Sequence, residues 1–161
     1  MRLKKQNLLY FVFIIIMGLL YFSLNETKEY NNELSSIKYQ LGNDSYEENL
    51  KIKVIGVLKT SGFGGYHFEG KIFAEDFELK CSDFVENNMA MLTYSSDGYT
   101  KTFGQIFINE DLDKLTILYN GWSEKDGLMI SSPAKDREDA LKIANDLMEK
   151  FMKHHNIEKL K

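Results

Sequence analysis

Cysteine, proline and basic charge are all scarce, and each scarcity removes a class of protein. Cys81 is the single cysteine among 161 residues, so no intrachain disulfide can form and no cysteine-built zinc site can be assembled. No cysteine follows the apolar run near the N-terminus, which excludes a lipid-modified one there. The setting of Cys81 in Phe77-Glu78-Leu79-Lys80-Cys81 alternates apolar with charged and predicts a buried thiol. Proline occurs once and glycine 11 times, against 11 Phe and 9 Tyr, a composition able to bury a core and unlike that of a disordered chain. The formal net charge is −4, and setting aside the three cations Arg2, Lys4 and Lys5 leaves −7 for the remainder. A balance of that sign excludes nucleic acid as a partner, since phosphate backbones are held by basic stripes. The length suits one ordinary domain with an appendage, not two catalytic domains.

What the chain does have is an apolar run from Leu8 to Leu24, interrupted only by Gly18 and Ser23 and free of charge. As a helix it would span about 25 Å, close to the shortest membrane-crossing length. Tyr10 and Tyr21 suit the headgroup boundary, and the cations before the run set its N-terminus inside. Tyr21-Phe22-Ser23-Leu24-Asn25 offers no small-residue cleavage pair, against a removed signal. The expectation is a single-pass protein of the cell membrane. Residues 1–7 form a cytoplasmic basic tip and residues 8–24 a transmembrane anchor. Leu8, Phe11, Ile14, Ile15, Leu19 and Leu24 meet lipid, and the rest is extracytoplasmic.

In residues 25–49, Tyr30, Leu34, Ile37 and Leu41 fall 4, 3 and 4 apart, predicting a juxtamembrane helix or linker ended by Gly42-Asn43-Asp44-Ser45. From Lys51 the period becomes two: Ile52, Val54 and Leu58 share one face, and Tyr66, Phe68, Ile72 and Ala74 another. Runs at Phe77 to Cys81, Met89 to Tyr94, Phe103 to Ile108, Leu115 to Tyr119 and Leu128 to Ser132 bring the strands to about seven. Turn formers separate them at Gly62-Phe63-Gly64-Gly65, Asn87-Asn88, Asp97-Gly98, Asn120-Gly121 and Asp126-Gly127. The tail returns to helical spacing at Ala140, Ala144, Leu147, Met148 and Phe151, with Asp136 as its cap. The fold class is therefore α+β: a transmembrane helix, then a curved antiparallel sheet packed by a C-terminal helix. The extracytoplasmic domain takes residues 50–153, leaving a polar tail, 154–161.

No motif specifies a chemistry. Ser61-Gly62-Phe63-Gly64-Gly65 lies between strands, whereas a phosphate loop must lead into a helix. His154 and Glu158 have an i, i+4 spacing but no third ligand nearby, and His67 has no nucleophile to serve. Glu75-Asp76, Glu110-Asp111 with Asp113, and Glu124 with Asp126 all fall in turns, and the calcium-loop pattern is absent. Neither a cofactor nor a metal is expected. Large aromatics on loops anchor protein contacts, which singles out Phe63, Tyr99, Tyr119 and Trp122, framed by acidic residues that suit a basic partner.

Phe103-Gly104-Gln105-Ile106-Phe107 and Asp126-Gly127-Leu128-Met129-Ile130-Ser131-Ser132-Pro133-Ala134 resemble segments of small uncharacterised membrane-anchored proteins of low-GC Gram-positive bacteria. That likeness spans roughly residues 50 to 152. In layout the chain is also similar to anchored immunity proteins against toxins exported by type VII secretion. An anchor and a candidate surface without a catalytic constellation lead to the expectation of a non-enzymatic, membrane-tethered domain that binds a protein outside the cell, an immunity protein being one form of it, with lipid contacted through the N-terminal helix. Two alternatives stand beside it: an accessory subunit of the cell envelope or a secretion system, and a hydrolase with an unrecognised site.

Overall fold

Alternation of apolar with polar side chains makes a strand wherever one face meets a core, and here it starts earlier than Lys51. The computed structural model describes residues 10–18, 27–61, 65–82 and 88–161. Eight strands follow one another: β1 (Thr27–Gln40), β2 (Asn43–Ser61), β3 (Gly65–Ala74), β4 (Phe77–Cys81), β5 (Met89–Ser96), β6 (Tyr99–Ile108), β7 (Leu115–Tyr119) and β8 (Leu128–Ser132). Each pairs antiparallel with its neighbour in sequence, and β8 returns to β1 to close a barrel. Two helices accompany it, α1 (residues 10–18) and α2 (Arg137–His155).

The closed barrel corrects the expectation of an open, curved sheet of about seven strands, and the reason lies in residues 25–49. Tyr30 and Leu34 sit on the inner face of β1 and pack against the barrel core. Ile37, Tyr39 and Leu41 sit on its outer face, where they meet α2. A strand whose buried face switches midway leaves gaps of 4, 3 and 4, which imitate a helical stripe. The supposed juxtamembrane helix is thus the strand that closes the sheet.

The transmembrane anchor is also overturned. Among the described residues no helix is long and apolar enough to cross a membrane. Within the run, α1 is described over residues 10–18. Phe11, Ile14 and Ile15 are exposed on it, while Leu8, Leu19 and Leu24 lie outside the described residues. The single-pass location and the inside-to-outside topology fall with the anchor. On the barrel's outer surface, cross-strand ion pairs join Lys51 to Glu33 at 2.5 Å, Lys59 to Glu69 at 2.8 Å and Lys71 to Glu78 at 2.6 Å. A lipid-facing barrel carries an apolar band there instead.

Inside, Ile52, Val54, Ile72, Leu79, Leu92, Ile106, Ile117 and Ile130 are fully or almost fully buried in one cluster. Leu112, in the β6–β7 loop with φ of 50°, is buried with them. A second cluster lies outside the barrel under α2. Ala140 and Ala144 let the helix approach closely, and Met148 and Met152 fill the space against Phe107, Leu118 and Met129. The Asp136 side chain accepts from the Asp139 N–H and caps the helix, and Asn156 ends it at φ of 55°. The tail beyond is not wholly solvated: Leu160 is buried, with its backbone N–H donating to Asn145 Oδ1 at 2.8 Å and its carbonyl accepting from Nδ2 at 3.2 Å.

Candidate functional site: the four-turn end of the barrel

In an up-and-down barrel alternate connections emerge at the same end. β1–β2, β3–β4, β5–β6 and β7–β8 therefore all turn at one mouth. The first three turns are two residues long and the β7–β8 connection takes residues 120–127; left-handed backbone occurs at Gly42, Glu75, Asp97, Gly98 and Gly121. Acids gather around these turns, among them Asp44, Glu48, Glu75, Asp76, Asp97 and Asp126, with Asp44 paired to Arg137, Asp97 to Lys101, and Glu48 and Glu75 to Lys38.

Lys38 faces into this mouth from β1. Its Nζ contacts Glu75 Oε1 and lies 3.8 Å from Glu48 Oε2. The Tyr119 hydroxyl donates to the other Glu75 oxygen at 2.7 Å, and the Lys38 ammonium stands 5.5 Å from the Tyr119 ring centroid. An aromatic row continues inward, with Phe103 at 5.0 Å from Tyr119, Phe77 at 5.1 Å from Phe103 and Tyr94 at 4.9 Å from Phe77.

Partial burial sets the electrostatics of this group. For Glu75, burial works to raise the carboxyl, but the hydrogen bonds from Lys38 and Tyr119 outweigh it and hold the group below its ordinary range. For Lys38, burial works downward and the Glu75 contact outweighs it, so the ammonium is held above its usual value. Burial and then the neighbouring Glu75 push the Tyr119 phenol up, which keeps its proton available as a donor. The arrangement offers aromatic area and fixed charges.

Of the four aromatics expected to contact a partner, three lie at this end. Tyr99 projects from the β5–β6 turn at 73% exposure. Tyr119 occupies the mouth. Trp122 lies three residues after Tyr119, its backbone N–H donating to the Tyr119 carbonyl at 3.0 Å, but its ring is half-buried against the α2 cluster. A Cβ on Gly127 would lie 2.2 Å from Trp122 Cδ1, so glycine is required for that packing. Phe63 lies outside the described residues. Sequence alone does not mark Lys38, which falls in the stretch whose spacing predicts a helix, or Glu75, which falls among the turn acids.

Elsewhere, His67 lies on the outer face of β3 with Nε2 at 3.1 Å from Glu69. Cys81 is half-buried against the interior cluster, and His154 and His155 are exposed. Among the described residues no three His, Cys, Asp or Glu side chains converge to hold a metal ion. Compared with protein families, curated proteins and solved structures, the chain shows no significant match.

Proposed function

We propose that the chain is a non-enzymatic protein-binding module that receives a basic partner across the four-turn end of its barrel. The observation supporting this reading is the coincidence, at one mouth, of acidic turns, the exposed Tyr99 and the Lys38–Glu75–Tyr119 group. Acidic surfaces steer basic partners, and tyrosines supply large contact area at a small cost in conformational entropy. Glu75 holds Tyr119 in one orientation, so part of the ordering cost of binding is met beforehand. The immunity role implied by the sequence resemblance is one form of this reading, in which the acidic end covers a basic surface of a toxin.

The test is site-specific photo-crosslinking in the producing cells, with the reactive residue at Tyr99 or, as a control, at Lys53 on the outer face of β2. A discrete protein adduct is expected from Tyr99 and none from Lys53. The adduct is expected to vanish when Glu48→Lys and Asp76→Lys are combined. Equal adducts from both positions, or an adduct indifferent to the charge reversal, would overturn the reading.

A further inference from the structure

Past its Asn156 cap the chain turns back along α2 as a strap. The Ile157 N–H still donates to the Met152 carbonyl at 2.9 Å, but Leu160 is tied to Asn145, and the Lys161 carbonyl accepts from Arg137 Nη2 at 3.3 Å. Asn145 and Asn156 stand about 16 Å apart along the helix. The strap covers that distance by running nearly extended, at about 3.5 Å per residue. Asn145 is an uncommon choice for its place. It is 7% exposed in a buried stripe otherwise made of Ala140, Ala144, Met148 and Met152, where a carboxamide costs free energy unless it is bonded. Its bonds go to main chain: Oδ1 accepts from the Leu160 N–H, and Nδ2 donates to the Leu160 and Leu141 carbonyls. An amide that meets both the N–H and the C=O of one residue holds an extended segment as a neighbouring strand would, whatever side chain that residue carries.

The trough is wider than the strap. A cleft of about 480 Å³ lies between the strap and the turns at Gly42 and Glu124-Lys125, and another of about 510 Å³ between the strap and α2. The second is bordered by Glu138, Asp139 and Asp146 against Lys142, with Lys159 of the strap beside them. Asp139 is paired with Lys135, whereas Glu138 and Asp146 are exposed and have no ion-pair partner among the described residues. The strap thus sets a cation and the buried Leu160 into a cleft with an excess of acid. It is held by one carboxamide, by Leu160 with the half-buried Ile157, and by one arginine, and segments with so few contacts open well below the free energy of global unfolding. We infer that this trough is a docking site for an extended segment of another protein, with Leu, Ile or Met in the place of Leu160 and Lys or Arg in the place of Lys159, and that residues 157–161 occupy it in cis. A partner segment gains the bonds that the strap gives up, and its larger side chains can reach into the flanking clefts. None of Lys38, Glu75, Tyr99 or Tyr119 takes part, so this inference is independent of the function proposed above.

The full chain carrying Leu160→Asp tests this, since the change undocks the strap and leaves the stripe of α2 in place. The probe is fluorescein-Gly-Ile-Glu-Lys-Leu-Lys-amide, read by anisotropy. It is expected to bind the variant at least tenfold more tightly than the wild-type chain, whose own strap competes. Replacing the probe's leucine by aspartate, or adding Asn145→Leu to the variant, is expected to abolish binding, with the far-ultraviolet dichroism of the protein unchanged. Replacing the probe's first lysine by glutamate is expected to weaken it severalfold. If Leu160→Asp fails to fold, the wild-type chain serves instead: excess unlabelled probe is expected to speed hydrogen exchange at the Leu160 amide while the Ala144 and Met148 amides hold steady. The inference falls if the probe binds neither protein, binds both equally, is indifferent to Asn145→Leu or to its own substitutions, or leaves the Leu160 amide unmoved. Dimers of the wild-type chain that sedimentation detects and Leu160→Asp dissolves would also overturn it, in favour of a second copy's tail as the occupant.

Discussion

Glu75 shows how one residue carries several roles. It occupies a left-handed turn position, φ 53°, that most side chains disfavour, yet its carboxylate joins Lys38 on β1 to Tyr119 on β7. Glu75→Gln keeps the shape and removes the charge, leaving the Lys38 ammonium half-buried without its closest anion. A loss of about 1–2 kcal/mol in urea unfolding is expected, modest because the pair remains partly solvated. The pH dependence has a definite sign. A carboxyl held below its unfolded value contributes stability that is present above the ordinary carboxylate range and lost as pH falls through the folded value. The wild-type chain is therefore expected to lose more stability on acidification from pH 5 than Glu75→Gln does; parallel curves would show that the carboxylate is not coupled to folding. Gly104 is constrained differently: a Cβ there would lie 1.9 Å from the Leu118 carbonyl oxygen. Gly104→Ala is expected to cost about 3 kcal/mol, because the clash is with backbone of β7 and not with a movable side chain.

At the scale of elements, what was legible depended on whether one face of each element stays buried along its length. β4, β7 and β8 are five residues each, and β7 and β8 are buried on both faces for four of them; their bounds in the structure are those of the β-like runs in the sequence. α2 was equally legible, because Asp136 announces its start and its apolar stripe holds the helical period against a single surface. Asp136→Ala is expected to lower stability by about 1 kcal/mol, and Met148→Ala by about 2–5 kcal/mol, as its side chain is fully buried between helix and barrel. A thermal-melt series would rank them in that order. β1 was illegible for the opposite reason, since Leu34 faces the core and Ile37 faces α2, two environments within four residues. The candidate site inherits that error. Tyr99, Tyr119 and Trp122 stand out by type in the sequence, but Lys38 reaches the barrel mouth only because residues 27–40 form a strand. Its partnership with Glu75 then depends on pairing between residues far apart in sequence.

Across the whole molecule, the two closures of the barrel are unequal. The β1–β8 closure has four paired rows, and α2 lies over it, touching β1, β8, β7 and β6. Among the described residues the β4–β5 closure has two rows, Lys80↔Thr93 and Cys81↔Leu92, extended by the Ser82 N–H donating to the Met91 carbonyl at 2.9 Å. Regions with few paired rows open below the free energy of global unfolding, so the barrel is expected to part first between β4 and β5. Cys81, the single thiol, sits in that seam and reports on it directly. Its labelling by a thiol reagent is expected to proceed through an opening whose free energy changes little with low concentrations of urea, as for a small local exposure. Amides of β7 should instead exchange only through global unfolding, with a steep urea dependence. Met148→Ala sharpens the distinction, because it weakens the α2-covered side and should speed exchange in β7 while leaving Cys81 labelling nearly unchanged. If both probes accelerate together and share one urea slope, the barrel opens as a single unit and the seam has no separate identity.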